Sequence, residues 1–236
     1  MMKRMRQIAI AILVLTAVGY ACWPRFARVR YGRSLYRCYN QIHTLANGVL
    51  AYEKEHGHYP PPYVVDSTGT PMHSWRVLIL PYIGESELFA KYNFDEPWYG
   101  PNNSMLESQM PAVYRCPEDD LTSNTTSYLA VVGAETIWNS KQPVTRHEIT
   151  DGVTDTILFA EYGNHRTRWM QPVDIPHEEL VRSKILPNST HDDDDWVVAY
   201  ADGYVEVVDT IPWTLFAGMV TIAGGETIDA DQITAR

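Results

Sequence analysis

Four consecutive carboxylates, Asp192 to Asp195, stand directly after His191. Carboxylate oxygens in a loop are the ligands that a hard cation such as Ca²⁺ takes. The run lacks the alternating spacing and central glycine of an EF-hand, so a solvated surface turn is the competing reading. His191, Glu161 and Asp202 fall on or beside neighbouring predicted strands and could form a small polar cluster, with Asp192 and Asp194 as further oxygen donors. A hydrolase built on His191 with Glu161 or Asp202 would also need a nucleophile or a metal triad. No Gly-x-Ser-x-Gly elbow, phosphate-binding Gly-rich loop or Cys-x-x-Cys pair is present. The expectation is therefore no catalysis, no resident cofactor and no firm metal site, with calcium the one ion the acidic run could serve. His56 and His58 flank Gly57 at a helix end, where they suit carbonyl capping or solvent rather than metal.

The elements that must position these groups begin at the N-terminus. The first 37 residues hold eight Lys/Arg and no Asp or Glu, around an apolar run from Ile8 to Trp23. The whole chain is −10 with 19 basic and 29 acidic residues; removing the eight leaves 11 basic against 29 acidic, or −18. Such a split implies two solvents: residues 1–33 form a membrane anchor with basic flanks, and residues 34–236 a single water-soluble domain. About 16 apolar residues make roughly 24 Å of helix, short of the roughly 30 Å bilayer core. Snorkelling of Lys3, Arg4, Arg6 and Arg25 would close the gap. A cleaved signal peptide and a lipid-anchored Cys22 are the competing readings. The basic segment suits anionic headgroups, and a body at −18 excludes nucleic acid. Three basic residues precede the run and five follow it closely, a count that by itself places the body in the cytoplasm.

Leu35, Cys38, Ile42, Leu45, Val49 and Tyr52 recur at spacings of three and four, one apolar stripe on a helix. Gly57 stops it and Pro60 to Pro62 forbid continuation. The stripe must bury itself, most simply on a sheet. Ser74 is a candidate helix cap, and Glu85 to Tyr92 reads as a second short helix. Strands are expected at Ser127–Val132, Thr156–Tyr162, Trp196–Ala201 and Tyr204–Val208, with Asp202-Gly203 as a two-residue hairpin turn. Pro212 to Met219 suits a final helix, and residues 97–121 an irregular loop held by its ends. Trp75, Trp98, Trp138, Trp169, Trp196 and Trp213 would form a saccharide-stacking surface if exposed in a row; buried, they fill a core. Asn124 and Asn188 head glycosylation-type triplets that in a bacterial protein mean only polar loops.

A membrane helix whose lower half packs on a small antiparallel sheet is the α+β plan of pilins and pseudopilins. The ordered segments CYNQIHTLANGVLAYEKEHGHYPP, SWRVLILPYI, FDEPWYGPNN, YRCP, TSYLAVVG, DGVTDTILFAE, ADGYVEVV and GGE resemble the prepilin-like family called domain of unknown function 1559, abundant in planctomycete bacteria. Two features depart from it. The usual prepilin leader with its Glu is missing, which bears on filament assembly. Ten residues separate His191 from Asp202-Gly203 where the family has nine, and a one-residue slip turns a strand side chain to the other face. The resemblance implies a single-pass membrane protein whose body lies outside the cytoplasm, against the charge count. It implies a structural or interaction role, with the bilayer (through residues 8–23) and other pilin-like or envelope proteins as partners. Cys38 and Cys116 stand where the family often has cysteine, and in an oxidising compartment a Cys38–Cys116 disulfide is expected. The alternative is an extracytoplasmic module that binds glycan or calcium.

Overall fold

The computed structural model describes residue 16 and residues 32–119, 122–188, 195–225 and 232–235. The rest of the apolar run 8–23, with Cys22, and the residues His191, Asp192 and Asp194 lie outside the described residues. Among the described residues no helix is long and apolar enough to cross a membrane.

Helix α1 covers residues 32–56 of the described chain. Its stripe is buried as the periodicity requires: Cys38, Ile42, Leu45, Ala46 and Val49 are fully enclosed, and Leu35 and Tyr52 are half-buried. Burying Ile42, Leu45 and Val49 stabilises the fold by about 1.5–3 kcal/mol each. The opposite face carries Arg33, Arg37, Asn40, His43, Thr44 and Asn47, all exposed. Gly57 ends the helix with a left-handed φ of 78°, its N–H bonded to the Glu53 carbonyl at 2.8 Å.

The stripe lies against a five-stranded antiparallel sheet. Its strands are β4 (Tyr128–Leu129), β6 (Ile157–Glu161), β9 (Trp196–Tyr200), β10 (Val205–Thr210) and β11 (Thr234–Ala235), in the spatial order β11-β10-β9-β6-β4. Every residue of β6 and β9 is buried, because both faces are covered. Val197 and Ala199 join the core under α1, while Trp196, Val198 and Tyr200 alternate into a second core. That second core is roofed by α4 (His177–Ser183) and α5 (Trp213–Met219) through Leu180, Leu215, Phe216 and Met219.

Two close approaches grip α1. A Cβ on Gly48 would come within 2.6 Å of Ile83, in the 3-10 turn Leu80–Ile83. A Cβ on Gly203 would come within 2.6 Å of Leu50, and Gly203 also has a φ of 92°. Gly203 sits in the β9–β10 hairpin, whose loop has three residues rather than the expected two. Tyr200 accepts from Gly203 N at 2.9 Å and donates to the Tyr204 carbonyl at 2.9 Å, leaving Ala201 to Gly203 as the loop. A turn followed by a left-handed glycine is the usual build of that length.

Smaller pieces complete the body. Strands β1 (Tyr63–Val65) and β2 (Pro71–Ser74) form a hairpin, followed by α2 (Trp75–Leu78) and α3 (Ser86–Lys91). Ser74 caps α2 by accepting from Arg76 N. Strand β3 (Thr125–Thr126) pairs antiparallel with β7 (Thr167–Arg168), and β5 (Val131–Val132) pairs parallel with β8 (Ile175–Pro176). The segment after Pro97 is held from within. Buried Asn103 donates to the carbonyls of Asn93, Glu96 and Pro97, and the Glu96 carboxylate accepts from the N–H groups of Asn102 and Asn103.

Candidate functional site

Two polar clusters are buried inside the body, and Tyr128 touches both. The first is built on Arg76, a cation in the apolar run of α2. Its guanidinium meets Asp174 at 2.6 Å, with the two side chains 0% and 1% exposed. It also donates to the Tyr128 carbonyl at 2.9 Å and to Ser74 Oγ at 3.1 Å, and stacks 4.7 Å from the Trp75 ring centre. Asp174 accepts in addition from the Trp75 indole and from Ala130 N. Burial pushes the Asp174 carboxyl up, and the Arg76 charge pulls it back. A buried charge with this many partners is a structural clamp. Asp174 also lines a surface cleft of about 630 Å³ with Glu135, His177 and Glu178.

The second cluster lies in the seam between α1 and the sheet. Cys38 belongs to the buried stripe of α1. Glu161 ends β6 and stands two residues beyond Phe159, so strand alternation turns it to the same side as that core residue. Tyr128 is its register partner on β4. Cys116 follows the 3-10 turn Ala112–Tyr114 and is fully buried. The ligand-type atoms of Cys38, Cys116 and Glu161 all lie within 4.8 Å of one another. Cys38 Sγ donates to Glu161 Oε2 at 3.5 Å and lies 3.2 Å from the Tyr128 hydroxyl, which donates to Gln41 Oε1 at 2.9 Å.

Burial raises the pKa of the Cys38 thiol, and Cys116 and Glu161 beside it raise it further. Burial likewise raises Glu161, with Cys116 the next cause. Both groups are thereby driven toward their neutral forms. Asp119 stands at the edge, where burial pushes it up to about 6 against the pull of Arg166, 2.7 Å away.

The sequence-derived candidates separate. Glu161 and Asp202 do not meet: Ile157 pairs with Tyr200 at the far end of β6, about 13 Å along the strand from Glu161 at its usual rise. Asp202 instead shapes the hairpin loop, its Oδ1 accepting from Tyr204 N at 2.8 Å. Asp195, the last of the acidic run, is fully buried, so the solvated-turn reading fails at that residue. Cys38 and Cys116 are brought together as two thiols, with no bond between their sulfurs. His56 is exposed, stacks on Tyr52 at 4.0 Å and bonds the Tyr82 hydroxyl at 3.1 Å, while His58 Nδ1 bonds the Tyr59 carbonyl at 2.8 Å.

Trp75, Trp138, Trp169 and Trp196 are buried, which removes the aromatic row a saccharide surface needs. Three of these indoles donate inward, to Asp174, to the Leu158 carbonyl and to the Glu107 carbonyl. Sequence reasoning missed the Arg76–Asp174 clamp and the place of Glu161 beside the cysteines. A lone Arg inside the apolar run SWRVLIL was the available signal for the first.

These features define an α+β protein whose N-terminal helix is seated on an antiparallel sheet, with a buried dithiol–carboxyl cluster in the seam. Residues 36–137 match the family model described as Protein of unknown function (DUF1559). That is the family the ordered motifs resemble, and the matched segment contains residues 36–56 of α1, Arg76 and both cysteines of the cluster. No curated protein and no solved structure matches the chain.

Proposed function

We propose that this chain is a membrane-anchored, pilin-like protein of the cell envelope, acting by structure and interaction rather than by catalysis. The observation that carries the reading is helix α1. Its inward face is consumed by the sheet, its outward face is polar, and its N-terminal end exposes Arg33 and Arg37 just after the apolar run of residues 8–23. Basic residues at that point suit anionic headgroups. A helix seated on an antiparallel sheet is the arrangement a pilin-type body requires. Apart from the exposed Tyr36, the outer face of residues 32–56 is polar, so contacts with envelope partners fall mainly to the rest of the body.

The test is fractionation of cells expressing the full chain. The protein is expected to stay with membranes through alkaline carbonate, and deletion of residues 8–23 is expected to release it. Protease added outside intact cells or spheroplasts is expected to reach the body. A full-length protein found in the soluble fraction would overturn the anchor, and a body protected in spheroplasts would reverse its side.

A further inference from the structure

We propose that Cys38, Cys116 and Glu161 form a binding site for a thiophilic divalent cation of the Zn²⁺ class. Three separate elements deliver these groups: α1, the turn after Tyr114, and the end of β6. All three residues are 0% exposed, and their donor atoms converge within 4.8 Å. The observed spacing suits a tetrahedral ion. Zinc at about 2.3 Å from sulfur and about 2.0–2.2 Å from a carboxylate oxygen requires sulfur and oxygen about 3.5 Å apart. Cys38 Sγ and Glu161 Oε2 are 3.5 Å apart.

The donor set selects the ion. Two sulfurs favour zinc-like soft or borderline cations and disfavour calcium and magnesium, which take oxygen. Tyr128 and Gln41 stand behind the sulfur. The Tyr128 hydroxyl lies 3.2 Å from Cys38 Sγ and is itself fixed by Gln41 at 2.9 Å, the kind of outer support that orients metal ligands.

A disulfide between Cys38 and Cys116 would engage the two cysteines and not the carboxyl that converges on them. A divalent ion accounts for all three groups, replacing their protons as it binds. Because the site is sealed, the ion would load as the chain folds, and its binding energy would become folding energy.

The experiment uses the full chain in detergent, unfolded with reductant and chelator and refolded with Zn²⁺ or Co²⁺. One equivalent of metal per chain is expected, with thiolate-to-cobalt charge-transfer absorption in the Co²⁺ form. Cys38→Ser and Cys116→Ser are expected to abolish both. Glu161→Gln keeps both sulfurs and the side-chain shape, so it controls for misfolding; it is expected to fold and to weaken Zn²⁺ by at least about 10-fold against a competing chelator. Three results would overturn the site. One is a folded, reduced protein that takes up no stoichiometric metal. Another is metal that persists unchanged in the Cys38→Ser or Glu161→Gln protein. The third is a natively purified chain in which denatured thiol counting finds Cys22 alone, with Cys38 and Cys116 joined and no metal present. None of these outcomes depends on whether the N-terminal run is a membrane anchor.

Discussion

The Arg76–Asp174 pair and the Cys38–Cys116–Glu161 cluster are buried to the same degree on two sides of Tyr128, yet they are solved differently. In the first, a carboxylate faces a guanidinium at 2.6 Å, and backbone and indole donors fill its remaining lone pairs. Charge is balanced inside the protein. In the second, a carboxyl faces two thiols: Cys38 donates to it, but burial and Cys116 raise its pKa, so its charge is disfavoured. A buried charged pair is costly to break because the survivor stays charged in a dry interior. A buried neutral cluster is cheaper to alter, and it is chemically open to whatever can replace its protons. The contrast separates a group kept for architecture from a group available for binding.

The largest expected effect breaks the first cluster. Asp174→Ala strands the Arg76 guanidinium and is expected to cost about 3–5 kcal/mol in denaturant unfolding, enough to deplete soluble protein. Asp174→Asn keeps an acceptor for Ala130 N and is expected to cost less. If the two variants unfold alike, charge balance rather than the acceptor for Ala130 N is what Asp174 supplies.

A smaller effect probes the joint between the clusters. Tyr128→Phe leaves the carbonyl that Arg76 uses and removes the hydroxyl shared by Cys38 and Gln41. The expected loss is about 1 kcal/mol, the scale of one hydrogen bond. A loss as large as that of Asp174→Ala would mean the two clusters act as one unit.

The smallest effect sharpens the comparison from outside both. His73 is buried against Tyr92 and Phe94, and burial lowers its pKa below the ordinary histidine value. The native state therefore holds fewer protons than the unfolded chain. Its contribution is complete above about pH 6.5 and is lost as pH falls below that. Urea midpoints are expected to decline between about pH 7 and 5, and less steeply in His73→Gln. Equal slopes in the two proteins would remove His73 as the acid-sensitive group.

Much of the frame was legible because period and punctuation are local. The spacing from Leu35 to Tyr52 gave α1 and its buried face, and Gly57 gave its end. Ser74 gave a cap, and the strands β6, β9 and β10 fell where alternation and turn residues put them. The single strand expected at Ser127–Val132 divides in the structure into β4 and β5. Ala130 between them sends its N–H to Asp174 and its carbonyl to Ile175, instead of joining the sheet. A carboxylate 44 residues away decides that break, and no window along the chain contains it. The acidic run drew attention by density of charge, whereas Glu161 was read as a partner for His191 and Asp202 and not for the two cysteines it meets.

The sequence by itself determined an apolar N-terminal run with basic flanks, an amphipathic helix after it, and the strands of an antiparallel sheet. These follow from residue type and from periods of a few residues, which every short segment carries with it. Only the tertiary structure decided that Cys38, Cys116 and Glu161 share one dry seam, that Asp202 stays far from Glu161, and that Arg76 finds Asp174. Those meetings depend on strand order and on which face of α1 meets which strand, quantities set by packing the whole chain at once.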